Sequence, residues 1–363
     1  MVSLVKSIRF EKRLAPSVAM SVFVPLASAV LAFLLGALFL QLTGRDPLEV
    51  YQAMFKGALG SSYGLSETIV KAIPLALCGL GIAVAFRMQL WNIGAEGQFY
   101  MGAFAASWLP LTYPSLPAYV MLPGMFGLGV IAGGAWGLVP AILRARWRVN
   151  EIITTLMLNY IASLWVSYLV YGPWKDPKGF NFPLTAQFSD AALLPTLGTS
   201  RIHVGLIFAI ILAGALWVLF NKSRWGYEIN VIGSSEKAAR YAGMNIQRNI
   251  FLVMALSGAI CGLAGMSEVS GITGRLQPHL SPGYGYTAII VAWLSQLNPF
   301  AILVVAVLFG ALQVGGYFVQ TMGVPASVAS MLQGAVLFFV VGGEFMKHYK
   351  LVMRDMPQQE GKP

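Results

Sequence analysis

The segment TIVKAIPLALCGLGIAVAFRMQLWNIGAEGQFYMGAFAASWLPLT (68–112) carries the clearest signal of how this chain folds. Two apolar runs, 68–86 and 93–112, flank a short junction that contains Arg87 and Asn92. An α-helix needs about 20 apolar residues to cross the hydrocarbon core of a bilayer. Because each run meets that length, the segment predicts two membrane-spanning helices joined by a short polar turn.

The same alternation of apolar runs and polar connectors continues along the chain. Further runs lie near 15–42, 119–143, 152–171, 204–221, 250–270, 284–297, 299–320 and 325–343, which makes ten predicted spans. Apolar residues form 57% of the 363 residues and charged residues only 10%, with a mean hydropathy of +0.70. Soluble domains carry about 25% charged residues. The composition therefore excludes a soluble enzyme and predicts an all-α polytopic membrane protein with about ten transmembrane helices.

The first run, 15–42, is longer than the ~7–15 residues of a signal-peptide core. We therefore predict an uncleaved first span, with removal after the small residues Ala27-Ser28-Ala29 as the alternative. If the N-terminus is cytoplasmic, most of the 24 Lys and Arg residues fall on cytoplasmic connectors, as positive-inside sorting requires. This distribution predicts that both termini are cytoplasmic and accounts for the net charge of +10 without a nucleic-acid partner.

Residues 1–353 are predicted to form one transmembrane domain, and 354–363 a polar C-terminal tail. Two connectors are long: an outer loop, 172–203, which contains prolines and aromatic residues, and a charged cytoplasmic loop, 221–249. Five predicted spans precede the outer loop and five follow it. A five-helix repeat in the second half would therefore have inverted membrane topology, which is a transporter architecture.

The junctions 91–98 and 274–286 occupy corresponding places in the two predicted halves. Both are polar and rich in glycine, and unwound backbone at membrane depth is tolerated only inside protein or beside a cavity. We therefore predict broken helices at a substrate path. The candidate path residues at or near the junctions are Asn92, Glu96, Gln98, Glu268, Tyr284 and Tyr286.

The chemistry of these candidates leaves alternatives open. A carboxylate near the membrane is costly unless a partner or a cavity compensates it. Glu96 and Glu268 suit hydrogen bonding to the hydroxyls of a polyol or nucleoside, or proton relay, and Glu96 suits a helix cap at the cytoplasmic edge. Tyr284 and Tyr286 suit stacking on a flat ring or an interfacial aromatic belt.

The chain lacks a sequence motif for hydrolysing ATP itself. It contains no G-x-x-x-x-G-K-[ST] phosphate-binding loop, and His203, His279 and His348 lie apart without metal-ligand spacing. No catalytic His, Cys or Asp/Glu constellation occurs at useful spacing. We therefore predict no enzymatic activity, no catalytic residue, no metal and no cofactor, so that any ATP is used by a partner protein.

The cytoplasmic loop contains a short predicted helix. The serine pair at 234–235 can cap it, Glu236 begins it and Gly243 can end it, which leaves about two turns. The small side chains of Ala238 and Ala239 suit a groove on another protein, and a solvated charged loop is the alternative.

At these residues the sequence resembles a known family. Glu236-x-Ala238-Ala239-x3-Gly243 is similar to the E-A-A-x3-G coupling loop by which importer permeases of the ATP-binding cassette (ABC) class engage their ATPase, with Lys237 in place of the first alanine. Four more segments look like permeases for nucleosides or simple sugars, in the wider group that includes ribose and branched-chain amino acid permeases. These segments are Asn92–Gln98, Glu151–Tyr160, Gly172–Pro177 and Gly283–Thr287.

The resemblance implies the permease subunit of a binding-protein-dependent ABC importer in a bacterial or archaeal cytoplasmic membrane. Its implied partners are a second, similar permease, a cytoplasmic ATPase, an extracytoplasmic substrate-binding lipoprotein and membrane lipid. The residues implied to contact the ATPase are Glu236, Ala238, Ala239 and Gly243.

The outer loop is expected to meet the binding protein, with Trp174 and Phe180 as aromatic anchors. Nucleosides are the first choice of substrate, chiefly because of the segment Gly172–Pro177. A ribose-type sugar permease is the alternative, and a proton-coupled secondary transporter that uses Glu96 and Glu268 is a further one.

Overall fold

The computed structural model describes residues 6–12, 18–198 and 200–355. The beginning of the first predicted run, 15–17, and most of the predicted tail, 356–363, lie outside the described residues.

The described residues form thirteen α-helices and two β-strands. The helices are α1 (Val18–Leu42), α2 (Pro47–Leu59), α3 (Ser62–Arg87), α4 (Ala95–Thr112), α5 (Ala118–Trp147), α6 (Glu151–Tyr171), α7 (Gly205–Lys222), α8 (Arg224–Ser234), α9 (Glu236–Tyr241), α10 (Ile246–Glu268), α11 (Tyr284–Leu294), α12 (Pro299–Phe318) and α13 (Ser327–His348). The strands are β1 (Lys6–Lys12) and β2 (Tyr349–Asp355). A π-helical turn, Val269–Thr273, continues α10, and 3-10 turns lie at Asp190–Ala192 and Val319–Met322.

The helical membrane fold predicted from the sequence is confirmed. Each of the ten predicted apolar runs overlaps a helix over most of its described residues. Within the described residues six helices are long and apolar enough to cross a membrane, namely α3, α5, α6, α7, α10 with its π turn, and α12. A seventh span results if 26–42 and 47–59 are counted as one bent span. The apolar segments 284–294 and 327–343 are shorter.

The helix α2 was not predicted from the sequence. Its buried residues Val50, Met54 and Ala58 recur every four positions, whereas Glu49 and Lys56 are exposed. This spacing is typical of a helix with one apolar face. The segment contains too many polar residues to read as a span, and it falls between two predicted spans.

The chain divides into two units, one made of 1–50 with 327–363 and the other of 51–326. In the first unit α1 packs on α13, and the hydroxyl of Ser28 donates to the carbonyl oxygen of Phe339 at 3.0 Å. The strands β1 and β2 pair in antiparallel register. The first and last described segments of the chain therefore lie side by side.

In the second unit, α10 packs most extensively on α5, and α3 on α12. These contacts depend on glycine. A β-carbon at Gly133 of α5 would lie 2.3 Å from the carbonyl oxygen of Gly258 in α10, and one at Gly310 of α12 would lie 2.6 Å from the carbonyl oxygen of Thr68 in α3. Small residues let helix backbones approach closely and increase van der Waals contact. The crossings fix where the junctions beside α3 and α10 lie.

Candidate functional site

Two junctions interrupt the helices of the second unit, 88–94 between α3 and α4 and 274–283 between α10 and α11. They meet at Glu96, in the first turn of α4. Its Oε2 accepts a hydrogen bond from the backbone N–H of Gly285 in the first turn of α11, at 2.7 Å, and Ser281 hydrogen-bonds the same carboxylate. The N-terminal ends of α4 and α11 are therefore in direct contact.

Glu96 caps a helix, and that helix is α11. Its side chain is buried, with 6% of the residue exposed, and it satisfies an N–H that has no acceptor within α11. A negative charge at this position also complements the partial positive charge at the N-terminus of a helix. The carboxylate thus holds the two broken helices together, whatever further role it has.

Asn92 and Gln98 are partners of each other. The Nδ2 of Asn92 donates to Oε1 of Gln98 at 3.0 Å, and the Nε2 of Gln98 donates back to Oδ1 of Asn92 at 3.1 Å. The same Asn92 amide donates to the hydroxyl of Ser257 in α10 at 2.8 Å. Both side chains are buried, and in this arrangement they lock the first junction to α10.

Asn159 of α6 joins this junction, although it was not among the predicted path residues. Its Oδ1 accepts from the backbone N–H of Gly97 at 2.8 Å, and its Nδ2 donates to the carbonyl oxygen of Ile93 at 2.9 Å and to the hydroxyl of Tyr286 at 3.2 Å. A signal was present in the sequence. Glu151, Thr155 and Asn159 recur every four residues, which places three polar side chains on one face of α6.

Glu268 is linked to the junctions through Tyr284. Glu268 is buried at the end of α10, directly before the π turn, and it hydrogen-bonds the hydroxyl of Tyr284. The Nζ of Lys71 in α3 donates to the same hydroxyl at 3.0 Å. Lys71 and Arg201 supply positive charge that acts on Glu268. Lys71 belongs to no recognised motif and was not a predicted site residue. Its positive charge therefore compensates the buried carboxylate of Glu268.

The six predicted path residues thus lie around one pair of junctions. The junctions bring together two buried carboxylates, two tyrosine hydroxyls and the N-terminal ends of two helices. Of these residues, Tyr286 is 39% exposed. Such groups offer hydrogen bonds to a polar solute. Among the described residues there is no cluster of three or more His, Cys, Asp or Glu side chains that could hold a metal ion.

Residues 185–194 of the outer loop are bound to the second junction and to the π turn before it. The backbone N–H of Phe188 donates to the carbonyl oxygen of Gly274 at 2.8 Å, and that of Leu194 donates to Ser270 at 2.9 Å. Thr185 is buried, and its hydroxyl accepts from the N–H of Leu276 at 3.0 Å. We call residues 185–196 the outer strap. Because Leu194 is hydrogen-bonded to Ser270, movement of the strap would displace the π turn beside Glu268.

The two predicted aromatic anchors of the outer loop differ in their environment. Phe180 is 94% exposed and its neighbour Phe182 is 64% exposed, so both can meet a partner. Trp174 is half-buried, and its indole stacks on Phe104 of α4 with ring centroids 5.2 Å apart. Its contacts hold the start of the loop against this chain.

His203 ends the outer loop immediately before α7. The ring is fully buried, and its Nδ1 accepts from the N–H of Gly205 at 3.1 Å. β-Carbons at Gly205 and Gly271 would lie 2.5 Å and 2.6 Å from ring atoms, so the two glycines enclose it. Its Nε2 has no hydrogen-bond partner among the described residues. Burial lowers the pKa of His203 to about 4.

This environment predicts a pH dependence for docking of residues 185–203, which are the outer strap together with the segment that carries His203. The docked state holds neutral imidazole, whereas a released loop binds a proton below its ordinary pKa of about 6.5. Docking should be fully stable above pH ~6.5 and lose about 3 kcal/mol as the pH falls to ~4. Hydrogen exchange of the strap amides, corrected for intrinsic rates, measures this. The variant His203→Gln should remove the dependence, and equal protection of the parent at both pH values would contradict the assignment.

The predicted cytoplasmic helix is present as α9. The hydroxyl of Ser235 accepts from the N–H of Ala238 at 3.2 Å, and Gly243 follows the helix with φ of 72°. One part of the prediction is wrong. Ala239 is fully buried within this chain and does not face outwards, whereas Ala238 is exposed and Tyr241 is 94% exposed. Successive residues of a helix point about 100° apart, so one alanine can be buried while the next is exposed.

Comparison with known proteins places this arrangement in a family. The family model described as "Branched-chain amino acid transport system / permease component" matches residues 64–341. The chain is 39% identical to the glucose ABC transporter permease protein TsgB13 of Haloferax volcanii, over 90% of this chain and 89% of that protein. It is 35% identical to the guanosine ABC transporter permease protein NupP of Bacillus subtilis, over 87% and 92%. It is 32% identical to the nucleoside ABC transporter permease protein NupB of Lactococcus lactis, over 88% and 90%.

The matched region contains both junctions, the outer strap and α9, and the three relatives are matched over nearly their whole length. The chain therefore belongs to the family of branched-chain amino acid transport system permease components, and it is a non-enzymatic transmembrane permease of an ABC importer.

Proposed function

We propose that this permease translocates nucleosides. The observation that carries the proposal is the meeting of α4 and α11 at Glu96, with Tyr286 partly exposed beside it. The arrangement combines acceptors for sugar hydroxyls with a tyrosine ring that can stack on a base. Two of the relatives named above are a guanosine and a nucleoside permease, which supports the same substrate class.

A simple sugar is the second candidate substrate. The relative with 39% identity is a glucose permease, and the hydrogen-bonding groups at the junctions would serve a sugar as well as a ribose moiety. The ring of Tyr286 favours a nucleoside over a simple sugar. A nucleoside can stack its flat base on the ring, whereas a free sugar contacts such a ring only through its C–H groups.

We also propose ten crossings, arranged as two inverted five-helix repeats. Pairing of β1 with β2 supports an even number of crossings, because it places the start of α1 and the end of α13 beside each other. If the second half repeats the first, α10 corresponds to α3 and α12 corresponds to α5. The packing of α10 on α5 in the second unit then corresponds to the packing of α3 on α12. The broken ends at α4 and α11 occupy equivalent positions in such repeats.

The proposed assembly contains this permease, a second and similar permease, a cytoplasmic ATPase and an extracytoplasmic binding lipoprotein. It would lie in a bacterial or archaeal cytoplasmic membrane with both termini in the cytoplasm. Exposed Ala238 and Tyr241 support a contact with the ATPase at α9, and Phe180 supports a contact with the binding protein at the outer loop.

Transport in proteoliposomes tests the substrate proposal. The complete complex would be reconstituted with its binding protein, and uptake of labelled guanosine, uridine, glucose and ribose would be compared with and without ATP. We expect ATP-dependent uptake of nucleosides that unlabelled glucose does not inhibit. Uptake of glucose or ribose alone would assign a sugar permease. Nucleoside uptake that needs a proton gradient and no ATP would assign a secondary transporter.

A substitution in the outer loop tests the contact with the binding protein. Phe180→Ala should raise the concentration of binding protein needed for half-maximal ATP hydrolysis by about tenfold, because an exposed aromatic anchor is worth ~1–2 kcal/mol. Basal hydrolysis should stay at the parental level. Tyr119→Ala is the matched control, since Tyr119 is also an aromatic residue with 81% exposure. Unchanged stimulation of the Phe180 variant would remove this residue from the contact.

A further inference from the structure

A cavity of about 1010 Å³ opens between α9, the C-terminal end of α5 and the N-terminal end of α10. Met88, Gln89 and Leu90 of the first junction line it as well, whereas the six candidate path residues do not. Five of its lining residues are charged, four of them basic, and they are Arg144, Arg148, Glu236, Lys237 and Arg240. A cavity of this size exceeds what a single ion needs and matches the volume of small-molecule sites.

The positive charges in this cavity are only partly compensated. Arg240 pairs with Glu236 at 2.8 Å, and Arg144 pairs with Glu151 of the adjacent helix α6 at 3.4 Å. In the described part of the chain, Glu151 and Glu236 are the carboxylates that pair with basic residues of the cavity lining. Arg148 and Lys237 have no carboxylate within 4.0 Å among the described residues. Two unpaired cations, one from α9 and one from the end of α5, therefore line the same space.

The backbone around the cavity favours an anion as well. Asn245, Ile246 and Gln247, at the start of the long helix α10, line the cavity, and the beginning of a helix carries partial positive charge. Arg148 has φ of 54°, in the left-handed region, and its N–H donates to the carbonyl oxygen of Arg144 at 3.0 Å. This conformation ends α5 as a helix C-cap, and the side chain of Arg148 lines the cavity.

We propose that this cavity binds a phosphate-bearing anion. A phosphate group can accept charge-assisted hydrogen bonds from guanidinium and ammonium groups together, which matches Arg148 and Lys237. The anion would bridge α5 and α9 and so tie the cytoplasmic helix to the rest of the second unit. Its source is either the headgroup of an anionic phospholipid or a free phosphate compound, and Trp147, 63% exposed beside Arg148, suits a membrane interface.

Binding to the purified complex tests the proposal, with the parent compared with the double variant Arg148→Gln/Lys237→Gln. One arm titrates the complex in detergent with inorganic pyrophosphate and follows binding by calorimetry. The other reconstitutes it in phosphatidylcholine nanodiscs with and without phosphatidylglycerol and counts retained phosphatidylglycerol by native mass spectrometry. The control is Arg146→Gln/Lys222→Gln, which removes the same charge from residues that do not line this cavity.

We expect the parent and the control to bind at least about tenfold more tightly than the double variant in one of the arms. Saturable pyrophosphate binding that the double variant loses assigns a free phosphate compound, and retention of phosphatidylglycerol with no such pyrophosphate binding assigns a lipid headgroup. Absence of binding in both arms, or an equal loss in the control, would overturn the proposal. The basic residues would then serve membrane orientation alone. None of these outcomes depends on which solute the permease translocates.

Discussion

Replacing Glu96 by Ala is expected to lower substrate uptake by at least about tenfold. The substitution leaves the N–H of Gly285 buried without its acceptor, and an unsatisfied buried donor costs ~1–3 kcal/mol. About 1.4 kcal/mol corresponds to a tenfold change in the population of a competent conformation. Because Glu96 connects the broken ends of α4 and α11, the loss acts where the proposed path lies. Uptake by the reconstituted complex, normalised to the amount of assembled permease, is the measurement.

The variant Glu96→Gln separates the two roles of the carboxylate. The amide oxygen of Gln can still accept from the N–H of Gly285, but it carries no charge. Uptake near the parental level would assign capping alone, whereas a loss as large as that of Ala would assign a role for the charge in solute contact. Glu49→Ala removes an exposed carboxylate of α2 and should leave uptake unchanged. Parental uptake by Glu96→Ala would contradict the assignment of a path at this junction.

The sequence identified the junctions because their signal is local. Each apolar run has the length of a span, and a glycine-rich polar interruption between two runs is visible without knowledge of the fold. The helix α9 was predictable for the same reason, since Ser235 and Gly243 are caps whose effect lies within a few residues. In these cases the residues that interact are neighbours in the chain.

The contacts that complete the site were not predictable, because they join distant parts of the chain. Lys71 and Tyr284 are 213 residues apart, and their hydrogen bond depends on how α3, α10 and α11 pack. Asn159 lies 62 residues from Gly97 and 127 from Tyr286. A single polar residue in an apolar helix indicates that a partner exists. It does not indicate which helix supplies that partner.

The same limit applies to the face of α9. A six-residue helix has too few positions for its apolar periodicity to distinguish the side that packs on its own chain from the side that is free. Ala238 and Ala239 are chemically identical, and only the packing of the second unit buries one of them. This distinction changes the expected outcome of substitutions at the proposed ATPase contact.

Ala238→Asp is therefore expected to release the ATPase or to uncouple it from transport. Ala238 is exposed beside Tyr241, three positions further along α9, and both lie where a partner can reach them. If a groove of the ATPase encloses this face, an aspartate there becomes an unpaired charge at a buried contact, which costs several kcal/mol. The measurements are the amount of ATPase that copurifies with the permease and the ATP hydrolysis that substrate-loaded binding protein stimulates in lipid.

Two further variants make the test specific to the face. Ala238→Ser adds a small uncharged group and should keep the ATPase bound, while Ala239→Asp places a carboxylate in the interior of this chain and should lower the thermal stability of the permease itself. Parental copurification and hydrolysis for Ala238→Asp would exclude this face as the contact. If Ala239→Asp instead left the permease stable and released the ATPase, α9 would have to turn in the complex, so that the alanine buried in the isolated chain meets the partner.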